Sequence, residues 1–205
     1  QVLDKGEAWM DYSRKHREYE NQTGPVRRGV GCALFWYNTA VWPISLESCS
    51  CRMVLNQDGS IQLQTGETEI GQGCDTAFAQ MAADAVGIPV SDVHVVTAQD
   101  TDVTPFGTGA YASRQTYVGG FAIAQTGALL KERILKYACE LTRQMPALLD
   151  IVDGRIIRRT DGRVLMTLGE LATEALYSLS HSEHLTAEST YQIKNNAYSF
   201  GCTFA

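Results

Sequence analysis

A chain of 205 residues, 44% of them hydrophobic and with no low-complexity tract, can bury one substantial core or two small, intimately packed subdomains. Its formal net charge of −6 argues against nucleic acid as the main partner, which would call for a basic face. No apolar run of about eighteen residues signals a membrane span, and no signal-peptide pattern appears. The scattered cysteines Cys32, Cys49, Cys51, Cys74, Cys139 and Cys202 form no CxxC pair; they read as buried reduced thiols of a cytoplasmic protein, not as a zinc or iron–sulfur site.

In chain order, residues 4–20 read as one charged surface helix, with Asp4 and Glu7 at capping-box spacing and Trp9, Tyr12, His16 and Tyr19 on one stripe. Residues 21–29 are a turn-rich link in which Arg27 and Arg28 form a solvated pair or, alternatively, an anion clamp. Residues 28–38 alternate as a strand with Val30, Cys32, Leu34 and Trp36 on one face and Ala33, Phe35 and Tyr37 on the other; neither face is polar, which predicts a central strand. Ser48–Leu55 is a second strand, and Asp58-Gly59 makes a hairpin turn into a third over residues 60–65.

Residues 72–86 read as a helix burying Phe78, Met81, Ala82, Ala85 and Val86, with Asp75 suited to the dipole of its first turn. A short strand follows over residues 90–98. Residues 113–144 form a long helix with Phe121, Ala124, Ala128, Leu135, Ala138 and Thr142 along one side, and the glycines and alanines of its first turns suit close packing. Asp153-Gly154 marks a second hairpin, and Thr167 and Glu170 cap a helix ending near Leu179. His181 and His184 sit in a solvated linker, and residues 185–205 add strand around an Asn195-Asn196 turn. The fold class is α+β, a mixed sheet with packed helices, subdivided as 1–27 (helix and linker), 28–145 (strands, glycine turns and two main helices) and 146–205 (hairpin, short helix and terminal strands).

Two glycine-rich turns, Gly71-Gln72-Gly73 and Gly107-Thr108-Gly109-Ala110, each lie directly before a helix. Helix starts expose unpaired N–H groups at the positive end of the macrodipole, so two of them brought together would cradle a phosphorylated, anionic ligand. Ordinary loops are the alternative, since a lone GxG is weak evidence. The polar run through Gln99, Asp100, Thr101, Asp102, Thr104 and Thr108 to Ser113, Arg114 and Gln115 is longer than a connector needs. Glu67 and Glu69 read as solvated or backbone-bonded.

The segments ETEIGQG, FAQMAADAVGIP and AQDTDVTPFGTGAYASRQTYV, with ESCSCRMVLNQDGSIQLQTG before them and FGCTF after, resemble the molybdenum-binding subunit of the xanthine dehydrogenase and aldehyde oxidase family, and within it bacterial xanthine dehydrogenase most closely. The resemblance runs from about Arg28 to Ala205 and implies that residues 1–205 are a partial molybdenum-cofactor-binding domain, an internal fragment of a larger subunit. Family members hydroxylate an aromatic heterocycle or aldehyde with water-derived oxygen at a molybdenum–molybdopterin centre, in bacteria often in the cytosine dinucleotide form, and for the parent of this chain the resemblance implies hypoxanthine or xanthine. Electrons then pass through 2Fe–2S clusters and FAD, held in partner subunits or domains, to an acceptor such as NAD.

Carried over by residue, Gly71 and Gln72 resemble the pair that approaches the pterin and a molybdenum-bound oxygen ligand, and Gly73 completes that turn. Ala110 resembles the alanine whose backbone faces the metal. Tyr111, Ala112, Ser113 and Arg114 match the run that wraps the pterin and its phosphate. The family's general base and its substrate-lining residues are expected beyond Ala205 and before Gln1, so no catalytic residue is expected in this chain, which alone should hold no cofactor and be inactive. Its partners would be the rest of the molybdenum subunit, the iron–sulfur and FAD parts, and a purine substrate. A sister enzyme acting on an aldehyde, carbon monoxide, nicotinate or an aromatic acyl-coenzyme A, or a non-catalytic nucleotide-binding domain, is the alternative.

Overall fold

The computed structural model describes residues 1–179 and 182–205; His181 lies outside the described residues. The helices are α1 (Val2–Met10), α2 (Tyr12–Tyr19), α3 (Cys74–Val86), α4 (Gly120–Thr142) and α5 (Leu168–Tyr177). The strands are β1 (Cys32–Thr39), β2 (Ser48–Leu55), β3 (Ile61–Thr65), β4 (Val93–Val95), β5 (Leu149–Val152), β6 (Arg155–Arg158), β7 (Val164–Thr167), β8 (Thr186–Gln192) and β9 (Ala197–Phe204). The chain packs as two compact units, residues 1–39 with 196–205 and residues 40–195, whose limits differ from the subdivisions at 27 and 145 read from the sequence. Among the described residues, no helix is long and apolar enough to cross a membrane.

In the first unit the helix read over residues 4–20 is broken in two, because Asp11 adopts left-handed φ 51° and ψ 45° and ends α1. Glu7 does not box with Asp4. Its carboxylate instead accepts the Ser13 N–H at 3.1 Å, at the start of α2. The aromatic stripe breaks at the same point: Trp9 is 84% exposed, while Tyr12 packs on the exposed His16 and edge-on against Phe204.

β1 pairs antiparallel with β9, from Cys32 opposite Phe204 to Thr39 opposite Ala197. The expectation of a central strand is corrected here. β1 belongs to a two-stranded ribbon, and Leu34, Phe35, Trp36 and Tyr37 are all exposed. A ribbon with one neighbour has no second layer to cover two apolar faces.

The second unit holds the hydrophobic core, around a four-stranded sheet in the order β4-β3-β2-β8. β2 is antiparallel to β3 and β8, and β3 is parallel to β4. The alternation of β2 and β3 places Cys49, Cys51, Met53, Leu55, Ile61 and Leu63 on the core side. All six cysteines are free, and Cys49, Cys51 and Cys74 are buried. The Asn56–Gly59 turn forms as its sequence predicts, with Gly59 at φ 89° and the Asn56 N–H bonded to the Ser60 carbonyl at 2.9 Å.

α3 buries Phe78, Ala82 and Val86 and packs against α4, which also covers β2 and β8. The buried face of α4 corrects the sequence reading. It is Ala122, Ile123, Thr126, Leu130, Ile134, Tyr137 and Ala138, whereas Phe121, Ala124 and Ala128 face outward. Small residues surround this helix, so apolarity alone does not select a face; the close approach to α3 does. A Cβ on Gly127 would sit 2.6 Å from the Ala85 Cβ. Instead of starting α-helical at residue 113, this helix begins with one π-helical turn at Gln115–Gly119.

The three-stranded antiparallel sheet β5-β6-β7 turns at Asp153-Gly154, both with positive φ, as their dipeptide predicts. β7 is a strand the sequence did not reveal. The Thr167/Glu170 capping box is complete and starts α5, which ends at Tyr177, short of Leu179. His184 is exposed.

Candidate functional site

The two glycine segments converge through a backbone-on-backbone contact between Gly66 and Gly107. A Cβ on Gly66 would lie 2.2 Å from the Gly107 nitrogen, and one on Gly107 would lie 2.1 Å from the Gly66 oxygen. Only residues without a side chain allow two chains to pass this closely. The Ser50 N–H bonds to the Phe106 carbonyl at 2.7 Å and the Gly66 N–H to the Ser50 carbonyl at 3.2 Å, so the start of β2 holds both segments. A cleft of about 410 Å³ opens there, lined by Thr68, Gln99, Thr104 and Thr108 and by the backbone of Gly66, Gly107 and Gly109.

The first turn meets the second segment through side-chain amides. Gln72 Nε2 donates to the Thr68 carbonyl at 3.1 Å and to Gln115 Oε1, Gln115 Nε2 donates to the Thr68 carbonyl at 2.8 Å, and the Ile70 N–H donates to Gln72 Oε1 at 2.7 Å. The Gln72 side chain is thus engaged within the turn.

The amides of this turn already meet an anion. Glu69 accepts the N–H groups of Gly71 at 2.7 Å, Gly73 at 3.0 Å and Asp75 at 3.2 Å. The Gly73 amide foremost, then those of Asp75 and Gly71, holds its carboxyl down at about 2. Glu69 is therefore backbone-bonded and caps α3 in place of the N-cap residue Gly73, which has no side chain. Glu69, Cys74 and Asp75 bring three donor atoms within 4.8 Å, but burial and Glu69 push the Cys74 thiol up to about 12, and the Glu69 oxygens are already bonded to amides. That donor set is the cap of a helix end, with the Glu69 oxygens engaged by backbone N–H groups.

The second segment is held from inside by Arg114, which has no exposed surface. Its guanidinium donates to Glu47 Oε2, to Glu67 Oε1 at 2.6 Å, to the Gly109 carbonyl at 3.0 Å and to the Ser48 carbonyl at 2.7 Å. Tyr111 lies over it at 5.4 Å. Burial works against the charge of Arg114, but the bond to Glu47 and the charge of Glu67 outweigh it and raise its pKa. The solvated reading of Glu67 is corrected: it is 1% exposed, burial raises its pKa against the pull of Arg114, and its second oxygen, Oε2, has no hydrogen-bond partner. Burial and Glu67 also push the neighbouring Cys49 thiol up to about 12.

Of the residues picked out from the sequence, Gly71, Gln72, Gly73, Ala110, Tyr111 and Ser113 lie at the surface, Ala112 is half-buried and Arg114 is buried. Ala112 and Ser113 take φ 47° and 52°, left-handed conformations uncommon for residues with a side chain, and the Ala112 carbonyl accepts the Ala40 N–H at 2.9 Å. A Cβ on Gly71, Gly73 or Gly109 would meet nothing within 4 Å, so the outer faces of both turns are open. An open, glycine-walled cleft, lined also by Asp100, Pro105 and Phe106, has the size for a pterin approaching along backbone. Sequence reasoning missed Glu47, which lies far from the turns in sequence. It could have found Glu69, because an acidic residue just before a glycine-started helix is a capping signal.

A family model described as a molybdopterin cofactor-binding domain matches residues 5–205. The chain is 44% identical over its full length to the xanthine dehydrogenase molybdenum-binding subunit of Escherichia coli O157:H7, of which it covers 27%. It is 31% identical over 203 residues to the carbon monoxide dehydrogenase large chain of Hydrogenophaga pseudoflava, 95% of this chain and 25% of that one. Among solved structures, a Cu,Mo carbon monoxide dehydrogenase in its carbon monoxide reduced state superposes with a TM-score of 0.80 at 22% identity, over 99% of this chain and 27% of that one. Quinoline 2-oxidoreductase from Pseudomonas putida 86 superposes at 0.76 and 24% identity, over 98% and 26%; both likenesses concern the fold. The chain spans about a quarter of the length of these relatives. With the family model covering nearly the whole chain, this protein belongs to the molybdopterin cofactor-binding domains of the molybdenum hydroxylases.

Proposed function

We propose that this chain forms one wall of the cofactor site of a molybdenum hydroxylase, with the backbone of Gly71–Gly73 and of Ala110–Ser113 lying against molybdopterin. The observation that carries the reading is the meeting of the two glycine segments at Gly66 and Gly107, with open outer faces at Gly71, Gly73 and Gly109. When bound, the cofactor supplies hydroxylation of the substrate with oxygen from water. The residues of this chain would bind and orient it: Gln72 and Gln115 tie the first turn to the second, and Ala110, Tyr111, Ala112 and Ser113 would hold the cofactor from the second segment. Because Glu69 occupies the amides of Gly71 and Gly73, a pterin phosphate is better received at the second segment.

A purine substrate, hypoxanthine or xanthine, is supported by 44% identity to a xanthine dehydrogenase subunit against 31% to a carbon monoxide dehydrogenase chain. The second reading is a sister hydroxylase acting on carbon monoxide, an aldehyde or a quinoline-like heterocycle, supported by the shared fold. Both readings place iron–sulfur and FAD carriers beside the complete subunit, and catalytic and substrate-lining groups outside these 205 residues.

Molybdenum analysis and turnover with xanthine, hypoxanthine, an aldehyde and carbon monoxide test the proposal, on both the 205-residue chain and the complete subunit. The complete subunit is expected to hold metal and to oxidise the purines fastest, and the isolated chain to do neither. Stoichiometric metal with turnover in the isolated chain would defeat the proposal. Preference for carbon monoxide or aldehyde would replace the purine reading with the second one.

A further inference from the structure

We infer that Arg114 is a positioning residue for the Gly107–Ser113 loop, clamped between Glu47, whose two oxygens both accept hydrogen bonds, and Glu67, one of whose oxygens has no partner, and that it acts on the ligand only through the loop it holds. This rests on the reading of the site as a cofactor cradle. The hydrogen bonds that Arg114 donates end inside the protein: Glu47 before β2, the Ser48 carbonyl on β2, Glu67 after β3, and the Gly109 carbonyl on the loop itself. One planar fork therefore joins three stretches of chain, residues 47–48, Glu67 and the loop at Gly109, a geometry that lysine, a point charge on a flexible stem, does not reproduce.

The two carboxylates are not equivalent. Both Glu47 oxygens accept hydrogen bonds, one from the Val41 N–H at 2.9 Å and one from Arg114 Nε, so Glu47 is built to be an acceptor on both sides. Glu67 accepts Arg114 through Oε1, while its buried Oε2 has no partner. Two buried carboxylates share one cation, and a buried charge without a full set of donors is disfavoured. The titratable and charged groups facing Glu67 are Arg114, the raised Cys49 thiol and, further off, Cys74 and Glu47, and burial favours the protonated form of Glu67 against the pull of Arg114. An amide at position 67 keeps the acceptor towards Arg114 and puts its NH₂ where Oε2 stands. At position 47 an amide turns its NH₂ against an N–H donor.

The test uses the complete subunit carrying Arg114→Lys, Arg114→Met, Glu47→Gln or Glu67→Gln. It reads molybdenum and pterin content per protomer, and amide hydrogen exchange of residues 107–113 against that of α4. Both Arg114 variants and Glu47→Gln are expected to lose at least about tenfold in cofactor content and to speed loop exchange at least about tenfold more than α4 exchange, because the loop opens locally as well as with the whole fold. Glu67→Gln is expected to stay within about twofold of the parent on both counts, since no bond is lost. If Arg114→Met does not fold, Arg114→Lys and the two glutamine variants carry the comparison.

Parent-like loop exchange in both Arg114 variants would overturn the inference. So would cofactor loss without faster loop exchange, which would make Arg114 a direct contact, or equal effects from Glu47→Gln and Glu67→Gln. If the parent subunit itself holds no molybdopterin, the cofactor reading fails, and the exchange data alone still decide whether Arg114 positions the loop.

Discussion

The two glycine turns are organised by opposite charges in opposite surroundings. The Gly71–Gly73 turn is gathered by a surface carboxylate, Glu69, that accepts backbone N–H groups, while the Gly107–Ser113 loop is gathered by a buried guanidinium, Arg114, that donates to backbone carbonyls. Glycine makes both turns possible, but charge decides how firmly each is fixed. A solvated carboxylate on amides is a local cap. A buried cation joining three stretches of chain is part of the core.

The largest expected effect separates these two devices directly. Arg114→Met leaves Glu47 and Glu67 buried without their cation, and urea denaturation of the 205-residue chain should show a loss of about 3–5 kcal/mol. Adding Glu47→Gln to this variant should recover part of that loss, since Glu47 then no longer brings a buried charge without its cation. A loss below about 1 kcal/mol would mean that the cluster is not the anchor its burial implies.

The glycines themselves come next. Gly66→Ala drives a Cβ into the Gly107 backbone, where no side chain can move aside, and should cost about 3 kcal/mol. Gly71→Ala meets only open space and carries the strain of φ 98°, about 1–2 kcal/mol. Equal losses in the two variants would show that turn conformation, not the crossing of the two segments, limits stability.

How much of this was legible in the sequence follows from the range over which each feature is set. The Asn56–Gly59 and Asp153-Gly154 turns and the Thr167/Glu170 capping box are written within four residues, and the structure forms them as read. The π-helical start and the inward face of α4 depend on α3 coming close at Gly127, and apolar spacing in so small-residued a helix does not choose the face. β1 and β2 show the same limit. Both are apolar eight-residue strands, yet β2 lies between β3 and β8 while β1 pairs with β9 alone in its ribbon. Composition states what a strand can bury, and topology states whether neighbours are there. Arg114 was picked out as part of a ligand-wrapping run, but its partners stand 67 and 47 residues away, beyond any local pattern.

Smaller effects test whether Glu67 and Glu69, two residues apart, titrate in opposite directions. Burial raises the pKa of Glu67 in the folded chain, so the folded state binds its proton more tightly than the unfolded state. Stability from this group is therefore greatest below the ordinary glutamate range and falls as pH rises through that range towards the raised value. Glu67→Gln has no proton to lose, so denaturation at pH 4 and pH 7 should show the variant gaining on the parent at the higher pH. A constant difference between the two proteins would place Glu67 as an ordinary ionised partner of Arg114.

Glu69 gives the smallest effect and the opposite sign. Its pKa is lowered to about 2 by the amides of Gly73, Asp75 and Gly71, so its contribution is fully present above the ordinary glutamate value. It is lost as pH falls from there towards about 2, when the proton displaces the amide bonds. Glu69→Gln keeps one acceptor for these N–H groups but no charge at the positive end of α3, so the melting temperature should drop slightly at pH 7 and converge with that of the parent in acid. Carbon-detected NMR titration of the side-chain carboxyl reads the same quantity without unfolding, and a midpoint in the ordinary glutamate range would show that the first turn is open to an outside anion and not closed by the chain's own carboxylate.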